Sequence, residues 1–304
     1  MSKKLLLLST LALSAIACGN DNPDAIGAGG NSGSASGNGG MYISTSPSGS
    51  GSNGGGGVSG TGTTGDLNFV IRDFKVYDPS NSKTTNPDFE NVPSTPSPTS
   101  LGWVDPDIVN EQLGEDHKPT YKNASGKTLT THGKDAFDQW FRNVEGMNIT
   151  QSIPDTLTKS SDGAYVYDSK SSGALNKDGM FFPIDDGTQY ATKFGNQGSK
   201  DANGRSHNFS FTLELHTVFT YQGGENFFFR GDDDVFVYIN NKLVINLGGI
   251  HGTQEQNVAI DSLGLTKGST YNLDFFYTER HVVASDLLIT TGLELSNNGD
   301  IPIL

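Results

Sequence analysis

The 304 residues include a single cysteine, Cys18, and only 20 Lys and Arg against 34 Asp and Glu, a formal charge of −14. With one cysteine no disulfide can form within the chain, so any folded part is held by its core or by a bound ion. The shortage of base leaves no electrostatic footprint for a phosphate backbone, and it disfavours anionic lipid headgroups as well. Nucleic acid is therefore excluded as a partner. No Gly-x-Ser-x-Gly elbow, Cys–His pairing or His-Glu-x-x-His helix is present, so the commonest hydrolytic machinery is missing. The chain reads as a non-enzyme.

What is present begins with Met1-Ser2-Lys3-Lys4 and the apolar run Leu5–Ala17, the charged and hydrophobic regions of a secretory signal. That run is too short for a mature membrane-spanning helix. Ala15-Ile16-Ala17-Cys18 resembles a bacterial lipobox, which makes Cys18 the candidate lipidated residue and a lipid anchor in the membrane its consequence. Residues 18–65 are Gly, Ser, Asn and Thr with little else, a composition that cannot bury enough surface to offset the entropy of ordering. As a Gly-rich coil this tether would have a root-mean-square reach of roughly 40 Å. The expected organisation is a signal peptide (1–17), a lipidated cysteine with its linker (18–65), one β domain (66–298) and a short tail (299–304).

Within the domain, Leu67–Tyr77 is β-rich, and the prolines Pro87, Pro93, Pro96 and Pro98 mark an irregular surface segment. Phe137, Trp140, Phe141 and Val144 recur at helical spacing and predict one helix over Lys134–Val144. Ala164–Tyr167 and Met180–Ile184 read as short strands. Asn208–Tyr221 alternates, with Phe209, Phe211, Leu213 and Leu215 on one face. Strands follow at Asn226–Arg230, Gln256–Ile260, Thr270–Thr278 and Asp286–Leu295. Many short strands, Gly-rich turns and one helix predict an all-β sandwich.

The most informative stretch is Phe227–Gly252, FFFRGDDDVFVYINNKLVINLGGIHG. Val235–Ile239 and Lys242–Leu247 flank Asn240-Asn241, a two-residue loop suited to a tight hairpin. The alternation puts Phe236, Tyr238, Leu243 and Ile245 on one face and Val235, Val237 and Val244 on the other. Both faces are apolar, so the hairpin belongs inside a packed sheet. Asp232, Asp233 and Asp234 precede it. Three carboxylates at the mouth of a buried sheet repel one another, and a bound cation such as calcium would relieve the penalty. Solvated or amide-bound carboxylates are the plainer alternative. A second constellation, Glu214, His216, Glu279 and His281, would suit zinc or iron if its two segments were neighbours, and a polar hydrogen-bonded face is the expected outcome otherwise. His251, after Gly248-Gly249, is positioned to join either group. Arg230-Gly231-Asp232 spells a tripeptide read by some receptors, a match short enough to arise by chance.

HNFSFTLELHTVFTYQGGENFFFRGDDDVFVYINNKLVINLGGIHG, followed by DSLGLTKGSTYNLDFFYTERH, resembles the fibro-slime family of secreted proteins, and IRDFKVYDPSNSKTTNPDFEN, FDQWFRNVEGMN and FFPIDDG extend the likeness upstream. That family is similar in turn to the protective-antigen (PA fourteen) domain, a jelly-roll-like β-sandwich. The resemblance implies recognition of glycan or cell-surface polysaccharide and a role in adhesion. In carbohydrate-binding members an adjacent Asp pair joined by a cis peptide holds a calcium that touches the sugar. Asp232 and Asp233 match that pair, and Asp234 stands where Gly is usual. The expected protein is thus a surface-tethered, calcium-assisted, non-catalytic module of the cell envelope, with Asp232, Asp233 and His251 facing the ligand. The alternatives are a structural envelope protein with a purely structural calcium, and a metal-dependent hydrolase built on the Glu–His set.

Overall fold

The computed structural model describes residues 64, 67–91, 102, 104–171 and 173–297. The signal peptide, Cys18, nearly all of the tether, Pro93, Pro96, Pro98 and the 299–304 tail lie outside the described residues. Thr64 belongs to the domain, slightly earlier than residue 66. It is buried, its N–H donates to the Leu157 carbonyl at 2.9 Å, and its hydroxyl accepts from the Leu157 N–H at 3.0 Å.

In chain order the strands are β1 (Leu67–Phe74), β2 (Asn148–Asp155), β3 (Thr158–Lys159), β4 (Tyr165–Asp168), β5 (Asn176–Lys177), β6 (Met180–Phe181) and β7 (Phe211–Thr220). They continue with β8 (Asn226–Gly231), β9 (Asp234–Ile239), β10 (Lys242–Leu247), β11 (Gln254–Ala259), β12 (Thr270–Glu279), β13 (Leu287–Thr291) and β14 (Ser296–Asn297). One sheet runs β10-β9-β12-β7-β1-β2, with β14 beside β7, and the other runs β11-β8-β13-β4-β3. Every pairing in both is antiparallel. The fold is an all-β sandwich, as the pattern predicts.

Alternation builds the core between the sheets. Phe211, Leu213, Leu215 and Phe219 of β7 meet Phe227 and Phe229 of β8, with Phe275 and Tyr277 of β12. The opposite face of the larger sheet is also dry. Phe236, Tyr238 and Phe276 pack with Phe74 at the end of β1 under Phe89, Ile108, Tyr121, Trp140 and Phe141, supplied by the long connection between β1 and β2. That cover explains why the hairpin is apolar on both faces, and β9 is buried along its whole length.

The predicted helix is short. Only Lys134–Phe137 is α-helical (α1), and the chain then turns so that Trp140 and Phe141 enter the outer cluster from non-helical backbone. Gly133 ahead of it gives no side-chain cap, and four residues fall below the length at which a helix propagates well. The Asn240-Asn241 turn is as expected, with φ of 51° and 63°, the left-handed values Asn tolerates. One face assignment changes. A bulge between Leu243 and Ile245 sends Ile245 to the inter-sheet core with Val237, away from Phe236 and Tyr238. The apolar pattern puts the hairpin inside the sheet rather than at its rim, and the structure corrects this for one strand: β10 is the rim strand, covered by Glu111, whose carbonyl accepts from the Leu243 N–H at 2.8 Å. Across the same rim, Gln256 of β11 donates to the Val244 carbonyl at 3.2 Å and accepts from the Asn246 N–H at 3.4 Å.

Candidate functional site

The loop between β8 and β9 carries the three acids, and the structure sorts them. Gly231 lies so close to the Asp286 carbonyl and the Phe229 ring that no side chain fits there. Asp233 sits at φ 49°, a turn that sends successive carboxylates in different directions. All three are buried.

Asp234 is not available to an ion, which corrects its reading as a metal ligand. Arg280 Nε donates to its Oδ2 at 2.5 Å, Arg280 Nη2 to Oδ1 at 3.2 Å, and the Gly249 N–H to Oδ1 at 2.6 Å. Arg280 is itself sealed. It donates to the Thr130 carbonyl at 2.7 Å and the Thr130 hydroxyl at 2.9 Å, and lies 5.0 Å over the Trp140 ring. Trp140 Nε1 donates in turn to Asp88, which also accepts from the His132 backbone N–H. Burial opposes the guanidinium charge, yet the Asp234 carboxylate prevails and raises the Arg280 pKa. Fully desolvated pairs of this kind depend on having both partners. Sequence reasoning missed Arg280. The usable signal was the need of three acids for a cation, with an Arg at the end of an alternating strand.

Asp232 and Asp233 remain. Asp233 accepts from the Arg280 N–H at 3.0 Å and the His251 N–H at 3.3 Å, and Asp232 from the Asp286 N–H at 2.6 Å. Behind the pair stands Glu279, on the inner face of β12. Its Oε2 accepts from the Tyr277 hydroxyl at 2.9 Å, while its Oε1 is buried without a partner. Burial, then repulsion from Asp233 and Asp232, pushes the Glu279 carboxyl well above the carboxylate range. Burial and Asp233 do the same to Asp232, and burial carries Asp233 up to about 6. Burial and mutual repulsion oppose ionising all three at once, so without a counter-charge the set favours keeping protons over carrying its full negative charge.

Those observations fit a counter-charge at Asp232 and Asp233. Among the described residues no three His, Asp or Glu side chains converge as a ready metal cage, so two carboxylates would need backbone or guest oxygens beside them. The peptide between the two Asp residues is not cis; the cis bond joins Val282 and Val283 instead. His251 is also reassigned. Its Nδ1 and Nε2 lie 3.0 and 3.1 Å from the Gly252 and Leu247 carbonyls, so the ring braces its own loop, while its backbone N–H donates to the Asp233 carboxylate and its carbonyl accepts from the Asp233 N–H.

The Glu–His set is not assembled. Glu214 and His216 project to the outer face of β7, whereas Glu279 follows Phe275 and Tyr277 to the inner face of β12. Glu214 is taken by Lys118 Nζ at 2.6 and 2.8 Å and by Arg72 at 3.2 Å. His216 Nδ1 lies 2.7 Å from Asp274, and His281 Nδ1 lies 2.7 Å from the Val282 carbonyl. The two-residue spacing holds for Glu214 and His216 within β7, but β12 ends at Glu279, so His281 lies beyond the strand, and spacing cannot report that Glu214 and Glu279 lie on opposite faces. The Arg230-Gly231-Asp232 tripeptide has its acid buried, out of reach of a receptor.

Residues 175–303 match the PA14 domain. Protein psiQ of Dictyostelium discoideum is 38% identical over 234 residues, 76% of this chain and 22% of that protein. Protein psiR of the same organism is 39% identical over 226 residues, covering 74% of this chain and 21% of the relative. Protein psiC is 39% identical over 228 residues, with 73% and 40% covered. The chain thus spans about a fifth of the length of the first two. Among solved structures, a PA14 sugar-binding domain from an RTX adhesin aligns with a TM-score of 0.24 at 18% identity, covering 31% of this chain and 51% of that one. The PA14 match takes in β5 to β14, and so includes the whole acid loop and its Arg280 clamp.

Proposed function

We propose that the chain is a non-catalytic carbohydrate-recognition and adhesion module of the fibro-slime type, in which Asp232 and Asp233 hold a calcium ion that receives sugar hydroxyls. The observation that carries this reading is the buried cluster of Asp232, Asp233 and Glu279, whose joint ionisation is opposed by burial and repulsion while the nearby Arg280 guanidinium is paired with Asp234. The PA14 match and the likeness to psi proteins support the class, and the motif around the acid loop supports the ligand type. Calcium would supply the missing positive charge and open coordination positions for oxygen ligands. The chain's own part is to fix the two carboxylates with the Arg280, His251 and Asp286 amides, so that little ordering remains when ligand arrives. Export by the Leu5–Ala17 signal, lipidation at Cys18 and a flexible tether would hold the module at the cell envelope, with cell-surface polysaccharide as its partner.

Calorimetric titration of the chelator-treated protein with calcium tests the ion: heat of binding and a higher melting temperature are expected, both lost in the Asp232→Asn, Asp233→Asn double variant. No heat would end the calcium reading. A glycan array with and without calcium then separates recognition from a purely structural ion. The extensive amide bonding of Asp233 favours that second reading if calcium stabilises the fold without changing the array.

A further inference from the structure

At the opposite end of the sandwich lies a cleft of about 650 Å³, between the far ends of both sheets. β7 runs nine residue steps from Phe211, opposite Glu279, to Thr220, opposite Thr270, so this cleft is about 30 Å from the acid loop. Thr220 and Thr270 face each other across its rim with hydroxyls 3.1 Å apart. Lys159, Gln222, Glu225 and Glu294 also line it, and Gly292 forms an open stretch of wall.

Three observations bear on what would enter. The volume is within the range of small-ligand sites and accommodates more than one sugar ring. Glu225 accepts from the Gln222 N–H at 2.6 Å and Lys159 donates to the Tyr165 hydroxyl at 3.5 Å, but other lining side chains are uncommitted. Glu294 and Gln222 make no side-chain hydrogen bond or ion pair among the described residues, and Lys159 rests 5.0 Å over the Tyr165 ring with no carboxylate partner. Finally, Tyr165, Val218, Phe219 and Leu295 contribute apolar wall, but polar groups make up most of the lining and neither of the large exposed apolar side chains, Leu129 and Val283, lies in this cleft. One ammonium against two carboxylates also repels polyanions. Vicinal hydroxyls, which donate to Glu225 and Glu294 and accept from Lys159 and Gln222, satisfy all of these conditions.

We propose that this cleft is a second carbohydrate site, for neutral oligosaccharides, which works without any metal ion. With two sites at opposite ends, one domain would link two glycan chains. This inference does not rest on calcium at Asp232 and Asp233 and stands or falls separately from it.

Amide NMR spectra of the full chain in chelator, titrated with cellotetraose, maltotetraose or chitotetraose, provide the test. At least one probe is expected to shift Gly163, Gln222, Gly223 and Gly292. The same shifts should persist in Asp232→Asn and vanish in Gly292→Trp, where an added Cβ would meet only Glu225, at ordinary contact distance. Should Gly292→Trp fail to fold, the Lys159→Ala, Glu294→Ala double variant takes its place, at exposed or half-exposed positions. Shifts confined to the acid loop, shifts that need calcium, shifts that survive the blocking variant, or no shift with any of the three probes would each overturn the proposal.

Discussion

The two ends of this sandwich use charge in opposite ways. At the acid end the carboxylates are buried, and Asp233 and Asp234 have both oxygens engaged by amides or by Arg280. At the far end Glu294 and Gln222 stand exposed and their side chains engage no neighbour among the described residues. The first arrangement costs desolvation and returns a fixed geometry; the second costs almost nothing and leaves the groups mobile. If both ends bind as proposed, the first suits a strong, orientation-sensitive interaction and the second a weak, adaptable one.

The sharpest way to break this contrast is to remove a partner at the acid end. Arg280→Met leaves Asp234 buried without its cation and should cost about 3–5 kcal/mol, read as a lower denaturant midpoint. Adding Asp234→Asn to that variant should recover much of the loss, since it removes the stranded charge.

A smaller effect, also at the acid end, comes from pH. Asp73, opposite Phe211 on β1, is buried, and desolvation raises its carboxyl from 3.8 to about 7 despite hydrogen bonds from Thr192 and Asn208. The folded protein therefore holds this proton more tightly than the unfolded chain. Its contribution to stability is full below the unfolded value and is lost as pH rises through about 7. Between those limits the decline should approach about 1.4 kcal/mol per pH unit, and Asp73→Asn should flatten it in denaturant titrations across that range.

Asp232→Asn should stabilise the chelator-treated protein by about 1 kcal/mol, because it removes one member of a repelling buried set, while it abolishes the rise in melting temperature with calcium. A destabilised variant in chelator would mean that the Asp286 amide depends on full charge at Asp232 more than the neighbouring acids resist it. The smallest change is expected at the other end. Glu294→Gln should move stability by less than about 0.5 kcal/mol at any pH, measured by the same unfolding curves.

Much of this was legible beforehand. The Asn240-Asn241 turn, the alternation of β7 and the apolar faces of β9 are local patterns, and local geometry follows from them directly. The helix over Lys134–Val144 misled because aromatic residues at helical spacing are equally served by a turn that folds Trp140 under Phe89 and over Arg280. The acid loop was legible as a conflict of charges, but its resolution was not. Arg280 lies 46 residues from Asp234 and reaches it only because Thr278 of β12 pairs with Asp234 in register. Glu279 joined the wrong group for a related reason: sequence spacing fixes the face of one strand, whereas membership of a site needs the faces of several.

One side chain also bears on how such domains behave when crowded. Gln256 uses its amide to fasten the rims of the two sheets, bonding the Val244 carbonyl and the Asn246 N–H of the rim strand β10. A rim stitched in this way offers no ladder to a neighbouring molecule. Many copies displayed side by side would then keep apart along that border, so clustering on a surface would be governed by what the two ends grasp rather than by strand-to-strand polymerisation.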